Sequence, residues 1–168
     1  MRVKELFEQR ASVRKYKEEK VPKDVLMEVI NTARLAPSAV NLQPWKIYIV
    51  TEGETKEKLN KAYPKDWFKQ APGVAVICGL ENENWIRKDG RNYLMCDVTI
   101  LADYFVLAAT EAGLGTCYVG AFDENIVKDT LNLKNEDPVL LITFGYPDDS
   151  VKKKEKKRKP VDEITELM

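Results

Sequence analysis

Tyr93 to Ala112, YLMCDVTILADYFVLAATEA, reads as one long helix that is apolar on most faces. Asp97, Asp103 and Glu111 are its only acidic residues, and it has no basic ones. A helix that is apolar nearly all round must be buried on most sides. In a chain this small, that implies a subunit interface as well as a core. Gly113 and Gly115 end the helix, and Thr116 to Val119 begins a strand. Upstream, Gly73 to Cys78 (GVAVIC) is a fully buried strand, and Ile47 to Val50 is a β-branched and aromatic one. Downstream, Asp123 caps a helix through Leu131, and Pro138 opens the strand Val139 to Phe144. Nearer the start, Val3, Leu6 and Phe7 fit one face of a short helix that stops near Arg10. Pro22 starts another, with Val25, Leu26, Val29, Ile30 and Ala33 at helical spacing, and Pro37 ends it. Glu54 to Ala62 and Lys65 to Gln70 are short helices around Pro64. Helices precede and separate the strands, so the class is α+β, or mixed α/β.

The chain has 168 residues, and its 27 basic and 27 acidic residues sum to a net charge of zero. At 44% hydrophobic and 32% charged, it has the composition of a soluble globular protein. We expect a single domain over 1–168, with 150–168 as a docking arm. The neutral sum hides an asymmetry, because residues 152–159 read KKKEKKRK. A global charge argument for nucleic-acid or membrane partners therefore fails, while a local anion site near the C-terminus is allowed.

The chain has no His. Ser-His-Asp and Cys-His nucleophilic machinery is excluded, as are His-bearing zinc sites. Cys78, Cys96 and Cys117 are too few and too widely spaced for a Cys₄ site or a CxxC pair, and they read as reduced, buried thiols. No metal site is expected. The opening MRVKELFEQR has no apolar run of signal-peptide length, and Val98 to Ala109, interrupted by Asp103, is too short to span a bilayer. The expected setting is cytoplasmic, with chemistry borrowed from a cofactor.

Four local patterns could carry that chemistry. In Arg10-Ala11-Ser12-Val13-Arg14, two guanidiniums flank a hydroxyl and could hold a phosphate, although basic residues near a terminus are usually solvated. In Ala36-Pro37-Ser38-Ala39-Val40-Asn41-Leu42-Gln43-Pro44-Trp45, two prolines bracket polar side chains able to hydrogen-bond a flat heterocycle. Ordinary turn chemistry at Ser38 and Asn41 is the plainer account of that loop, and Trp45 reads as packing. Gly113 to Phe122 lacks the spacing of a phosphate loop, and Gly113 and Gly115 read as a helix stop and close packing. Gly120 differs, since a glycine just after a strand lets a planar ligand approach the backbone. Last comes Lys156-Lys157-Arg158-Lys159-Pro160, a basic run that is usually a solvated tail. It continues into Val161, Ile164 and Leu167, an apolar periodicity that implies docking.

In this order, the patterns resemble the nitroreductase family of FMN-dependent oxidoreductases. The likeness covers nearly the whole chain: the R-x-S-x-R-like start, APSAVNLQPW, GLGTCYVG, G-Y-P, and R-K-P before an apolar tail. It implies a nitroreductase-like α+β fold, a central mainly antiparallel sheet flanked by helices, in a domain-entwined homodimer with FMN at the interface. Arg10 and Ser12 match positions that hold the FMN phosphate and ribityl chain, with Ala11 between them offering only backbone. Arg14 matches the basic position at the pyrimidine edge, where a positive charge stabilises the anionic reduced flavin. Pro37, Ser38, Asn41 and Gln43 belong to the loop that reaches the flavin from the partner subunit. Tyr118, Val119 and Gly120 match the segment on the isoalloxazine face. Lys156 and Arg158 match the basic pair that closes on the phosphate, so Arg158→Ala should weaken FMN retention far more than Lys153→Ala does.

The resemblance implies an enzyme that takes hydride from NADH or NADPH and reduces nitroaromatic, quinone or similar small acceptors by a ping-pong sequence, with no protein group as the catalyst. The alternatives are a family variant that dehalogenates or dehydrogenates, and a non-catalytic flavin-binding or redox-sensing protein. A nucleic-acid role for the basic run is disfavoured, because no aromatic residues interleave it. The chain is short for the family and leaves little room for a long insertion over the active site. Trp67, Phe68, Trp85 and Tyr93 in the variable middle could line a pocket or simply pack.

Overall fold

The fold is that of a computed structural model describing residues 2–152 and 155–168. Lys153 and Lys154 of the basic run lie outside the described residues. The opening helix α1 spans Val3–Gln9, and α2 spans Lys23–Ala33. Strand β1 (Trp45–Val50) leads through α3 (Gly53–Leu59) and α4 (Asp66–Lys69) to β2 (Gly73–Leu80). The long helix α5 (Leu94–Glu111) is followed by β3 (Gly115–Val119), α6 (Glu124–Leu131) and β4 (Glu136–Gly145).

The four strands form one antiparallel sheet in the order β1-β2-β4-β3. Strand alternation divides the core into two halves. On one face Ala75, Ile77, Ile142 and Phe144 pack under Leu26, Val29, Leu101 and Phe105 of α2 and α5. On the other, Val74, Val76, Cys78 and Leu141 meet Leu59, Phe68 and Val127 of α3, α4 and α6. The result is a mixed α/β fold with a helical layer on each side of the sheet. Because β2 has buried neighbours on both faces, GVAVIC carries no polar residue.

Most boundaries follow the predicted ones, and their causes are visible. The Asp123 carboxylate caps α6 by accepting from the N–H groups of Asn125 and Ile126 at 3.0 and 3.2 Å. Gly113 ends α5 at φ +79°, with the Leu114 N–H returning to the Ala109 carbonyl at 2.8 Å. Gly115 is a close-packing glycine, since a Cβ there would meet Val13 at 2.8 Å.

Several expectations need correction. Helix α2 stops at Ala33, ahead of Pro37, where the Leu35 and Ala36 N–H groups turn back onto the carbonyls of Thr32 and Ala33. Pro138 sits inside β4 rather than at its head, at a register shift opposite Cys78, where its missing N–H is tolerated. Cys78 and Cys117 are buried free thiols, but Cys96 is exposed, because it lies on the side of α5 turned away from the sheet. Val161, Ile164 and Leu167 are all exposed, so the apolar end of the arm does not dock on its own chain. Helix α5 likewise leaves Met95 and Tyr104 uncovered.

Candidate functional site

Residues 10–14 are extended, so side chains alternate between two faces. Val13 points into the protein, its N–H bonded to the Thr116 carbonyl at 2.8 Å, and Ser12 makes a parallel bridge to Thr116 beside β3. Tyr16 anchors the segment from below, its hydroxyl donating to the Val13 carbonyl and sharing a hydrogen bond with Thr143 Oγ1, both at 2.7 Å. Burial pushes the Tyr16 phenol up, which keeps it protonated. With Val13 held inward, Arg10, Ser12 and Arg14 share the other face. The Arg14 guanidinium lies 5.4 Å from the centre of the Trp67 ring. Burial also pushes the Cys117 thiol up, while Arg14, Ser12 and Arg10 draw it back down.

The other end of the chain closes on this face. Tyr16 bridges to Pro147, and Lys15 holds Asp148 Oδ1 at 3.1 Å and Ser150 Oγ at 2.8 Å. Further along, Lys156 Nζ donates to the carbonyl oxygens of Phe7 and Glu8, at the C-terminal end of α1, where a cation is favoured. Between the two ends lies a cleft of about 690 Å³ lined by Arg10, Ala11, Ser12 and Arg14 on one side and by Lys156 and Arg158 on the other. Lys15, Ser150, Lys152 and Lys157 also line it; the sequence had marked Lys152 and Lys157 only as members of the basic run, and Lys15 and Ser150 not at all. The only signal for Lys15 and Ser150 was proximity to residues that had been marked.

The loop before β1 stands apart from the cleft. Ser38 Oγ accepts the Gln43 N–H at 2.8 Å, and the Gln43 side-chain amide donates to the Asn41 carbonyl at 3.2 Å, which is the turn chemistry expected of this segment. Trp45 is half-buried against the core. Val40, Asn41 and Gln43 all adopt left-handed φ, at 54°, 58° and 53°. A β-branched residue rarely does so, and such strain persists only where the surroundings impose it. Part of the restraint is Asp97, in the first turn of α5: its Oδ1 accepts the Ala39 N–H at 2.9 Å. Asp97 is 2% exposed, and its Oδ2 is buried with no partner among the described residues. Sequence reasoning had registered Asp97 only as an acid in an apolar helix.

The third group ends β3. The half-buried Tyr118 lies with its hydroxyl 3.5 Å from Asp103 Oδ1, and burial together with that carboxylate pushes the phenol up. Val119 is buried, and Gly120 is exposed, with nothing within 4 Å of the position a Cβ would take. Thus one chain gathers Arg10, Ala11, Ser12, Arg14, Lys156 and Arg158 around a cleft. Pro37, Ser38, Asn41 and Gln43, like Tyr118, Val119 and Gly120, do not line it. Of the aromatic candidates, Phe68 is core, Trp67 holds Arg14, and Trp85 and Tyr93 stack edge to face at 4.9 Å. Among the described residues, no three His, Cys, Asp or Glu side chains gather as a metal site would need, and no helix is long and apolar enough to cross a membrane.

An antiparallel sheet lies between two helical layers, and the arginine-bearing segment beside β3 lines one cleft together with the basic arm. The nitroreductase family profile matches residues 7–66 and 61–146. The chain belongs to the nitroreductase family. A solved structure of a nitroreductase family protein from Clostridium difficile superposes with a TM-score of 0.90 at 32% identity, covering 99% of this chain and 98% of that one. An NADH dehydrogenase of Thermus thermophilus is 28% identical over 82% of this chain and 83% of its own length. An iodotyrosine deiodinase of Thermotoga neapolitana is 26% identical over 86% of this chain and 88% of its own.

Proposed function

We propose that the protein is a cytoplasmic, FMN-dependent oxidoreductase that uses NAD(P)H to reduce nitroaromatic, quinone or similar electron-poor acceptors. The observation that carries this reading is the meeting of Arg10, Ser12 and Arg14 with Lys156 and Arg158 around one cleft. That donor set fits the flavin. Guanidinium, ammonium and hydroxyl groups supply charge-assisted hydrogen bonds for a phosphate, and the space above Gly120 is open to a flat ring. Bound there, FMN would supply the redox centre between the nicotinamide donor and the acceptor.

The work left to the chain is binding, orientation and electrostatics. Arg10, Ser12, Lys156 and Arg158 hold the phosphate and ribityl chain, with Ala11 contributing backbone. Arg14, steadied over Trp67, sets a positive charge at the pyrimidine edge and stabilises negative charge there. Tyr118 and Val119 lead to Gly120, whose bare backbone faces the ring. Pro37, Ser38, Asn41 and Gln43 reach the flavin from a second subunit. The exposed apolar side chains Phe7, Val40, Leu42, Met95 and Tyr104 support that homodimer, and Val161, Ile164 and Leu167 support an arm, 150–168, that docks on the partner. The chain itself, 1–168, acts as a single domain. The buried free thiols Cys78 and Cys117 suit a reducing compartment.

The test is the visible spectrum of the purified, FMN-reconstituted protein, followed by anaerobic titration with NADH and NADPH. Flavin absorbance that bleaches with either nucleotide is the expected result. A colourless protein, or bound flavin reduced only over hours, would sink the enzymatic reading. The similarity to a deiodinase favours reductive dehalogenation as a second reading, and turnover of iodotyrosine in place of nitroaromatics would select it.

A further inference from the structure

The cleft between the chain ends carries more positive charge than one flavin phosphate neutralises. Among the described residues, seven basic side chains line it against a single carboxylate, Glu155. Lys15 is committed to Asp148. A phosphate monoester brings about two negative charges at neutral pH. On the flavin reading, Arg10, Lys156 and Arg158 meet that group, and Arg14 is turned to the ring. Lys152 and Lys157 remain. Both are exposed on the rim of the same cleft, and neither makes an ion pair among the described residues. Ammonium groups held beside this many other cations repel them, and an anion between them removes the cost.

We propose that Lys152 and Lys157 form a second phosphate subsite that receives the 2′-phosphate of NADPH, so that the enzyme prefers NADPH to NADH. The inference rests on the flavin reading of the cleft. A dinucleotide whose nicotinamide lies on the ring must run its adenosine half out along the open side of the site. NADH and NADPH share the pyrophosphate, so a charge pair serving only that group would favour neither. The extra monoester of NADPH concentrates its charge on one group, and lysine is a point-charge binder suited to it. A cleft of about 690 Å³ has room for a second phosphoryl group beside the first.

The test uses the full-length, FMN-loaded protein at low ionic strength. Calorimetry compares adenosine 2′,5′-bisphosphate with adenosine 5′-monophosphate, and kcat/KM is measured for both donors. We expect the bisphosphate to bind at least about tenfold more tightly, and NADPH to lead NADH by a similar factor, as a charge-assisted phosphate contact implies. The double substitution K152E/K157E should bring both ratios near one, with kcat/KM for each donor taken per bound flavin. K152A/K157A should move both ratios the same way by a smaller factor. Equal binding of the two nucleotides by the parent protein overturns the subsite, as does an equal loss for both donors in the variants. If the protein retains no flavin, the flavin reading falls and the subsite with it. Retained flavin with equal donors removes the subsite alone.

Discussion

The buried Asp97 carboxylate accepts the Ala39 N–H at 2.9 Å, tying the strained loop before β1 to the first turn of the long helix. Removing the acceptor leaves a part-buried N–H unpaired, at a cost of about 1–3 kcal/mol. Asp97→Ala should therefore lower the urea midpoint measurably. Asp97→Asn keeps an acceptor for Ala39 and should lose much less. Similar losses from both would mean that charge, and not the hydrogen bond, holds the loop.

Two glycines on the same strand and its exit should respond in opposite ways. Gly115→Ala places a Cβ 2.8 Å from Val13 and should cost about 1–3 kcal/mol, as overpacked sites do. Gly120→Ala meets nothing within 4 Å and should unfold at the parent temperature. It should still weaken FMN binding if the proposed ring position holds, because the methyl group would occupy the open space there. Thermal unfolding with and without FMN separates the two effects.

The arm should matter to the flavin through two side chains. Arg158→Ala should lower FMN affinity by about tenfold or more, the scale of a charge-assisted phosphate contact, with little change in the stability of the flavin-free protein. Lys156→Ala should do the same and also loosen α1, since Lys156 caps the Phe7 and Glu8 carbonyls. Fluorescence titration of FMN against both variants, with exposed Lys65→Ala as the remote control, reads this out. Equal affinities across all three would return the arm to a solvated tail.

Glu136 links stability to acid pH. It accepts from the Tyr48 hydroxyl at 2.8 Å, from the Lys134 and Asn135 N–H groups and from Lys46, and its carboxyl is held down to about 2 from its ordinary 4.5. A carboxylate depressed by folding contributes stability above its unfolded pKa and loses it as pH falls through the folded value. That contribution should be intact above about pH 4.5 and fade towards pH 2. Glu136→Gln should flatten the acid limb of the stability profile in that window and leave its slope unchanged at neutral pH. An unaltered acid limb would show that the carboxylate is equally well solvated after unfolding.

Sequence alone determined what local chemistry controls. The glycine stop after α5, the Asp123 cap and the buried GVAVIC strand all depend on neighbours within a few residues. The family likeness extended this to the order of the motifs and to the residues proposed to face a flavin. Tertiary structure decided what depends on partners far along the chain. The strand order β1-β2-β4-β3 and the shift that admits Pro138 follow from which faces must be covered, and no single strand encodes that. Asp97 was one acid among three in an apolar helix until the fold set it against Ala39. Cys96 and the apolar end of the arm had the composition of buried segments, yet the chain that folds them offers them no surface of its own. Burial is a property of the whole surface available, which no local stretch of sequence specifies.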